Sequence, residues 1–201
     1  MGDKFIFYST SLDKAPGKYY GLHWSEKVHQ LDDYAALSQI PNWRSYLSNF
    51  DDSVSFEWTG ADIGPDFIFP AGTRFRSIEH VFQAVKIAHV NPVKAYTFSI
   101  NSGTDLGLGR GALAQSKRRL VVIPDMAFWD NGFSQMVMAS AAYAKYRQNP
   151  DSLATKVLLA TGSAELWHLE KHRGRPSTLV HFTHLETIRQ NINPLEKGII
   201  N

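Results

Sequence analysis

The chain has 201 residues, 43% of them hydrophobic and 20% charged, with 21 Lys+Arg set against 19 Asp+Glu and 8 His. These proportions exclude a disordered or fibrous chain, and the length predicts one domain over 1–201. The absence of cysteine excludes a disulfide framework, a thiolate metal site and a cysteine nucleophile, and a net charge of +2 exerts no global pull on nucleic acid, so any basic site must be local.

Phe5-Ile6-Phe7-Tyr8-Ser9 is dense in β-formers and predicts an opening strand. The Gly-, Pro- and Lys-rich stretch from Leu12 to Gly21 reads as loop. A helix is expected over 31–40, stopped by Pro41-Asn42. Phe56-Glu57-Trp58, Phe67-Ile68-Phe69 and Thr73-Arg74-Phe75 are short β-type runs parted by Gly and Pro, which predicts a hairpin or small sheet. After Arg76 the period turns helical, with helices expected over 78–89, 92–101, 131–148, 152–159 and 179–191, and Gly162 just past the fourth. The expected fold class is mainly α, a multihelical single domain with a minor β hairpin or small sheet in the N-terminal half. No apolar run approaches the ~20 residues of a membrane span, and Met1-Gly2-Asp3-Lys4-Phe5 lacks a signal-peptide core. The expected location is the cytoplasm, with no membrane partner, and the cysteine-free composition fits a reducing compartment.

Ser77-Ile78-Glu79-His80-Val81-Phe82-Gln83-Ala84-Val85-Lys86 carries the most chemistry. Ser77 is a helix cap, and Glu79 falls in the first turn, where the macrodipole favours an anion. At ~100° per residue Ile78, Val81, Phe82 and Val85 share one apolar stripe that must face a core. Glu79, Gln83 and Lys86 fall at i, i+4 and i+7 and make a second stripe on its flank. One reading of that stripe is a solvated polar face with a weak Glu–Lys interaction. The other is a pocket wall that holds an acid/base, an orienting amide and a cation.

Several segments stand in a specific order: Phe7-Tyr8-Ser9-Thr10-Ser11, Leu47-Ser48-Asn49-Phe50, Ser77-Ile78-Glu79-His80 with Gln83 and Lys86, and Leu108-Gly109-Arg110. They continue with Trp129, Met136 to Met138, Lys145-Tyr146-Arg147-Gln148-Asn149-Pro150 and Leu158-Leu159-Ala160-Thr161-Gly162. The ordered set resembles the NADAR family (NAD- and ADP-ribose-associated), which includes the YbiA-like riboflavin-intermediate N-glycosidases. Two departures stand out. Residues 12–46, with Trp24, Tyr34 and Trp43, are an insertion where the short family form runs almost directly from its Tyr-Ser segment to Ser-Asn-Phe. Where many members follow Thr-Gly with Leu-Val-Glu and a later Asp…Trp-Gly, this chain has Leu166-Trp167-His168, so that His168 stands at the Glu position, and then Arg173-Gly174-Arg175-Pro176.

The resemblance implies hydrolysis of the bond between ribose C1′ and a base-type nitrogen. The implied substrates are phosphoribosylated pyrimidine intermediates of riboflavin synthesis or ADP-ribose on a base such as guanine. Such cleavage passes through an oxocarbenium-like state and needs a proton for the leaving nitrogen. On this reading Glu79 stabilises the sugar cation and handles water. Lys86 either binds phosphate or ribose hydroxyls or attacks an opened-ribose aldehyde. His168, or Glu165, is the second acid/base. Gln83 orients substrate, Phe50 and Trp129 offer stacking faces or else pack a core, Asn49 hydrogen-bonds the base edge, and Arg110 in its glycine-rich loop holds phosphate. The chemistry needs no metal and no cofactor.

Other signals compete. Gly107-Leu108-Gly109-Arg110-Gly111 is a poor dinucleotide fingerprint, since it lacks the GxGxxG spacing and a preceding strand. His168/His172 and His181/His184 have helical ligand spacing, but Gly174 and Pro176 interrupt a helix there and solvent-facing or structural histidines are the plainer reading. Lys117-Arg118-Arg119 and Lys171-His172-Arg173-Gly174-Arg175-Pro176 are local basic clusters, the latter like a minor-groove AT-hook core. They make a DNA-binding module one alternative, a non-catalytic ADP-ribose or NAD sensor another, and an ADP-ribosylated nucleic acid a conceivable substrate.

Overall fold

In a computed structural model the described residues are 2–8, 13–19, 25–64, 69–116, 126–170 and 176–192. In chain order the strands are β1 (Lys4–Phe7), β2 (Phe56–Glu57), β3 (Arg74–Phe75), β4 (Glu165–Glu170) and β5 (Thr178–His181). The helices are α1 (Ala35–Ser38), α2 (Trp43–Tyr46), α3 (Ile78–Ala88), α4 (Pro92–Tyr96), α5 (Asp105–Leu108), α6 (Gly111–Ser116), α7 (Phe133–Gln148), α8 (Leu153–Ala160) and α9 (Thr183–Ile192). Short 3-10 turns lie at Leu31–Tyr34, Ile100–Ser102 and Met126–Gly132. The fold is mainly helical with minor sheet, as composition and periodicity led one to expect. The chain divides into two compact units, residues 1–48 with 150–201, and residues 49–149.

The first unit holds a three-stranded sheet in the order β1-β4-β5, with β1 parallel to β4 and β4 antiparallel to β5. This sheet joins the chain's beginning to its C-terminal third and adds to the expected N-terminal hairpin. The helix expected over 179–191 begins only at Thr183, because Thr178–His181 extends along β4. Ile6, Tyr8, Tyr19 and Leu169 form a buried cluster covered by Trp167 and Leu179. Inside this unit Arg44 and Glu26 are both fully buried and joined at 2.8 Å. The Arg44 guanidinium also bonds the carbonyls of Ile6, Lys14 and Ala15 and lies 4.1 Å from the Trp43 ring. Burial pushes Glu26 up and Arg44 down, and their mutual attraction opposes both shifts. The pair fastens part of the 12–46 insertion onto β1. Ser152 caps α8 by accepting from the Thr155 N–H, and Gly162 at φ +56° ends it in the left-handed conformation.

The second unit is built around α3, which packs against α4, α6 and α7. The cap at Ser77 forms as expected, its side chain accepting from the His80 N–H. Asn91 caps α4, whose first residue Pro92 supplies a preset φ and needs no donor there. The helix expected over 92–101 is split: α4 ends at Tyr96, and Ile100–Ser102 is a separate 3-10 turn. β2 and β3 pair antiparallel, Phe56 with Phe75 and Glu57 with Arg74, which is the expected hairpin. Phe67 and Ile68, expected to be a strand, lie outside the described residues. The 131–148 helix starts two residues late, at Phe133, because Asn131 and Gly132 adopt positive φ.

Gly107 in α5 lies against the Ser99 carbonyl, where an added Cβ would stand 1.9 Å from that oxygen. Its backbone could not retreat without breaking the Thr104 cap on its N–H. Gly107→Ala is therefore expected to cost at least about 3 kcal/mol through overpacking, read as a lowered urea midpoint. A wild-type midpoint would contradict this packing.

Candidate active site in the helical unit

The stripe on α3 is a buried one. Glu79 is 6% exposed and Gln83 4%, and the Gln83 Nε2 donates to Glu79 Oε1 at 2.7 Å. An amide in this place orients the carboxylate and leaves its second oxygen to other partners. Lys86, one turn further, is half-buried, with its ammonium 4.9 Å from the centre of the Trp129 ring. Trp129 is 49% exposed and packs edge-on against Phe82 at 6.0 Å and Phe128 at 5.1 Å. Phe82, expected on the core-facing stripe, is half-buried and belongs to this aromatic group.

The segment from Asn49 to Asp52 is fixed beside Glu79 from several sides. The Glu79 N–H donates to the Asn49 carbonyl at 2.9 Å, which satisfies one of the orphan donors of the α3 N-terminus. Lys145 of α7, wholly buried, donates to the Asp51 carbonyl at 3.0 Å and to its carboxylate at 2.6 Å. Burial drives the Lys145 pKa down, and the Asp51 charge opposes that shift. Arg76 stands 3.7 Å from the Asp52 carboxylate and donates to the Leu108 carbonyl. The start of α6 presses on the same segment: a Cβ on Gly111 would stand 3.0 Å from both Phe50 Cα and Ser77 Oγ. The structure thus brings the Asn49–Phe50 backbone, Glu79 and Gln83 together, with Lys86 further along α3 and the Trp129 ring packed beside it.

His80 locks the other flank. Its Nε2 lies 3.2 Å from the Leu106 carbonyl and its Nδ1 2.8 Å from Ser77 Oγ. A carbonyl only accepts, so Nε2 carries the proton and the Ser77 hydroxyl donates to Nδ1. Burial lowers the His80 pKa to about 4, which keeps the ring in that neutral form.

The KYRQNP segment has a structural reason. Beyond Lys145, the Gln148 amide pairs with both backbone groups of Glu57 at 2.7 and 2.8 Å. Asn149 Nδ2 bonds the Lys145 carbonyl at 2.8 Å. Lys145, Asp51 and His80 are positioning residues that the sequence reading missed. A signal existed for Lys145: Val137, Ala141 and Lys145 recur every four residues on the buried face of α7.

Arg110 and His168 have surroundings of their own. Arg110 is exposed at the start of α6, and its carbonyl accepts from the Leu113 and Ala114 N–H groups. The glycines around it answer to packing: Gly107 to Ser99, and Gly109 to Leu113, whose Cδ2 would be 2.5 Å from a Cβ. His168 belongs to the first unit, on β4, with its ring stacked 4.8 Å from Phe182 and 5.4 Å from Phe7. Its Nδ1 and the Nε2 of His184 are buried with no hydrogen-bond partner among the described residues. Burial lowers both imidazoles to about 4. Among the described residues no group of three or more His, Asp or Glu is placed to hold a metal ion. No described helix is long and apolar enough to cross a membrane. His172 and the basic clusters at 117–119 and 171–175 lie outside the described residues.

No protein-family model matches the sequence, and no curated protein does. Among solved structures, the NMR structure of the E. coli protein YbiA matches over 100% of this chain and 91% of that chain, at 15% identity and a TM-score of 0.49.

Two outcomes follow from these environments. Lys145→Met strands the Asp51 carboxylate, an expected loss of about 3–5 kcal/mol in urea unfolding, and a loss under about 1 kcal/mol would contradict the clamp. For His168 and His184 the folded pKa lies below the unfolded one. The unfolded chain therefore takes up protons as pH falls below about 6.5, while the folded chain refuses them until about 4. Stability must fall over that window, by up to about 1.4 kcal/mol per pH unit for each imidazole. Unfolding of a His168→Leu/His184→Leu variant between pH 7 and pH 5 is expected to show a flatter dependence than wild type; an unchanged slope would contradict it.

Proposed function

We propose that the chain hydrolyses the N-glycosidic bond between ribose C1′ and a base-type nitrogen in a phosphoribosyl or ADP-ribosyl substrate. The observation that carries this reading is a buried carboxylate, Glu79, braced by Gln83 and tied through its own N–H to the Asn49–Phe50 segment. The reaction class comes from the ordered motifs that resemble the NADAR family, and the side chains meet its chemical needs. A carboxylate held out of bulk water stabilises positive charge at C1′ more strongly than a solvated one does. It also accepts a proton from the attacking water. The water oxygen bonds to C1′, the C1′–N bond breaks with its electron pair going to nitrogen, and the leaving nitrogen takes up the proton that Glu79 accepted from the water.

Lys86 lies over the Trp129 ring, where the quadrupole favours the charged ammonium. That favours binding of phosphate or ribose hydroxyls over attack by a neutral amine. The exposed indole of Trp129 and the Phe50 ring offer faces for a base. Arg110 is assigned to the phosphates, as an exposed residue whose neighbour Gly111 packs on the Phe50 backbone. His168 is assigned no step: its imidazole is packed between Phe7 and Phe182, and burial disfavours the imidazolium that would serve as an acid.

The test is incubation with ADP-ribosyl-guanosine and, separately, with the phosphoribosylated aminopyrimidine of riboflavin synthesis, followed by mass spectrometry of the released base. Wild type is expected to release base from one of them. Glu79→Gln, folded by circular dichroism, is expected to lose roughly 100-fold or more in kcat. Lys86→Ala is expected to act chiefly on KM. Wild-type turnover by both variants would refute the assignment, and binding without release would establish a sensor instead.

A further inference from the structure

Two contacts bring the residues just before α3 against the loop that opens α6. The Arg76 Nη1 donates to the Leu108 carbonyl, and a Cβ on Gly111 would stand 3.0 Å from Ser77 Oγ. Arg76-Ser77 and Arg110-Gly111 therefore lie side by side, each arginine one residue from that contact. The Leu108 carbonyl is within about 7 Å of the Arg110 Cα, the longest reach of two peptide units, so both guanidiniums have the length to meet over one region of surface. The same Gly111 position is 3.0 Å from Phe50 Cα, and Asn49 beside it receives the Glu79 N–H. A guanidinium carries five N–H donors, and that of Arg76 commits one of its nitrogens to a hydrogen bond among the described residues. Its other neighbour, the Asp52 carboxylate, stands 3.7 Å from Nη2, beyond hydrogen-bond distance, and the Arg76 side chain is 36% exposed. Asp51 is spent on Lys145, so the 49–52 segment offers Arg76 a single carboxylate. A part-exposed ion pair at this separation stabilises a fold by only ~0–1 kcal/mol.

We propose that Arg76 is a second phosphate ligand of the candidate site and acts with Arg110 on a phosphate group of the substrate. The inference rests on the function proposed above and adds a residue that the sequence reading did not single out. A phosphate monoester carries about −1.5 to −2 charge at pH 7 and three terminal acceptor oxygens. Two planar guanidiniums meet it with paired N–H donors from different directions, which one cation cannot do. The Leu108 bond holds the Arg76 fork in place before any ligand arrives, so little freedom is lost on binding. Asp52 balances part of the Arg76 charge in the unliganded protein, and a phosphate replaces that loose attraction with direct hydrogen bonds. The phosphate of a phosphoribosyl group and the diphosphate of an ADP-ribosyl group share this chemistry, and the experiment separates the two.

The experiment measures the Kd of ribose 5-phosphate, of ADP-ribose and of guanosine, which has no phosphate, for wild type, Arg76→Gln, Arg76→Lys, Arg110→Gln and the double glutamine variant. For Arg76→Gln the expected result is a Kd weakened roughly 10- to 100-fold toward the phosphate-bearing probe, the loss of charge-assisted hydrogen bonds, with guanosine unaffected. Arg76→Lys keeps a cation beside Asp52 and covers the case in which the glutamine variant fails to fold. It should weaken the same probe about 3- to 10-fold, because an ammonium lacks the fork. The double variant should bind more weakly than Arg110→Gln alone. A loss confined to ADP-ribose would assign the arginines to a diphosphate, and a loss toward ribose 5-phosphate as well would assign them to a single phosphate. Unchanged affinities in both Arg76 variants, or equal weakening toward guanosine, would make Arg76 a tether of the 108–111 loop and overturn the proposal. It would equally be overturned by a double variant no weaker than Arg110→Gln, or by wild type binding neither phosphate-bearing probe. The expected pattern of affinities without base release by wild type would refute the hydrolase reading while leaving the phosphate site in place.

Discussion

The helical unit depends on one buried ion pair. Lys145 reaches from α7 with no exposed surface and spends two hydrogen bonds on Asp51, one to the carboxylate at 2.6 Å and one to the backbone carbonyl at 3.0 Å. Desolvating an ammonium this completely costs several kcal/mol before any attraction is counted. Burial pulls Lys145 toward neutrality, and Asp51 opposes that pull. What the pair secures is position. With Asp51 immobile, Asn49 two residues earlier keeps its carbonyl on the Glu79 N–H, and the first turn of α3 acquires a fixed neighbour. Gly111 adds a steric limit from α6, and His80 ties the same turn to the Leu106 carbonyl.

A carboxylate placed in such a turn has its orientation determined by backbone. Glu79 is anchored at its N–H, braced at Oε1 by Gln83 and favoured electrostatically by the helix N-terminus. Lys86 follows two turns on, and the Trp129 ring, from the Met126–Gly132 turn, packs beside it and Phe82. The first unit contains an ion pair of similar burial, Arg44 with Glu26, but its partners are carbonyls of β1 and of residues 14 and 15, so its role is to hold the insertion. Two buried charge pairs thus serve different ends: one fastens added chain to a sheet, and the other fixes the surroundings of an acidic side chain.

Local signals made α3 and its stripe legible in the sequence. Ser77 as cap, Glu79 in the first turn and the i, i+4, i+7 spacing are all encoded within ten residues, and each is present in the fold. Asn91-Pro92 and Ser152 were readable for the same reason. β4 was not, because Leu166 and Leu169 are its buried leucines and lie on opposite faces, so the strand lacks a period-two apolar pattern. Its partner β1 is some 160 residues away, beyond any window of local pattern. Lys145 was read as part of a motif and not as a buried charge, since a lysine is presumed solvated until its partner is seen. The glycines at 107 and 109 suggested a phosphate loop, whereas the carbonyls of Ser99 and Asp105 leave no room for a Cβ.

The central claim is that Asn49, Phe50, Glu79, Gln83, Lys86 and Trp129 form one ligand site. A titration of the 15N-labelled protein with ADP-ribose, followed by NMR, tests it most directly. The account predicts saturable shifts of the Glu79 and Phe50 amides, the Asn49 and Gln83 side-chain amides and the Trp129 indole N–H. Saturable shifts confined to other residues, with these resonances unmoved, would contradict it.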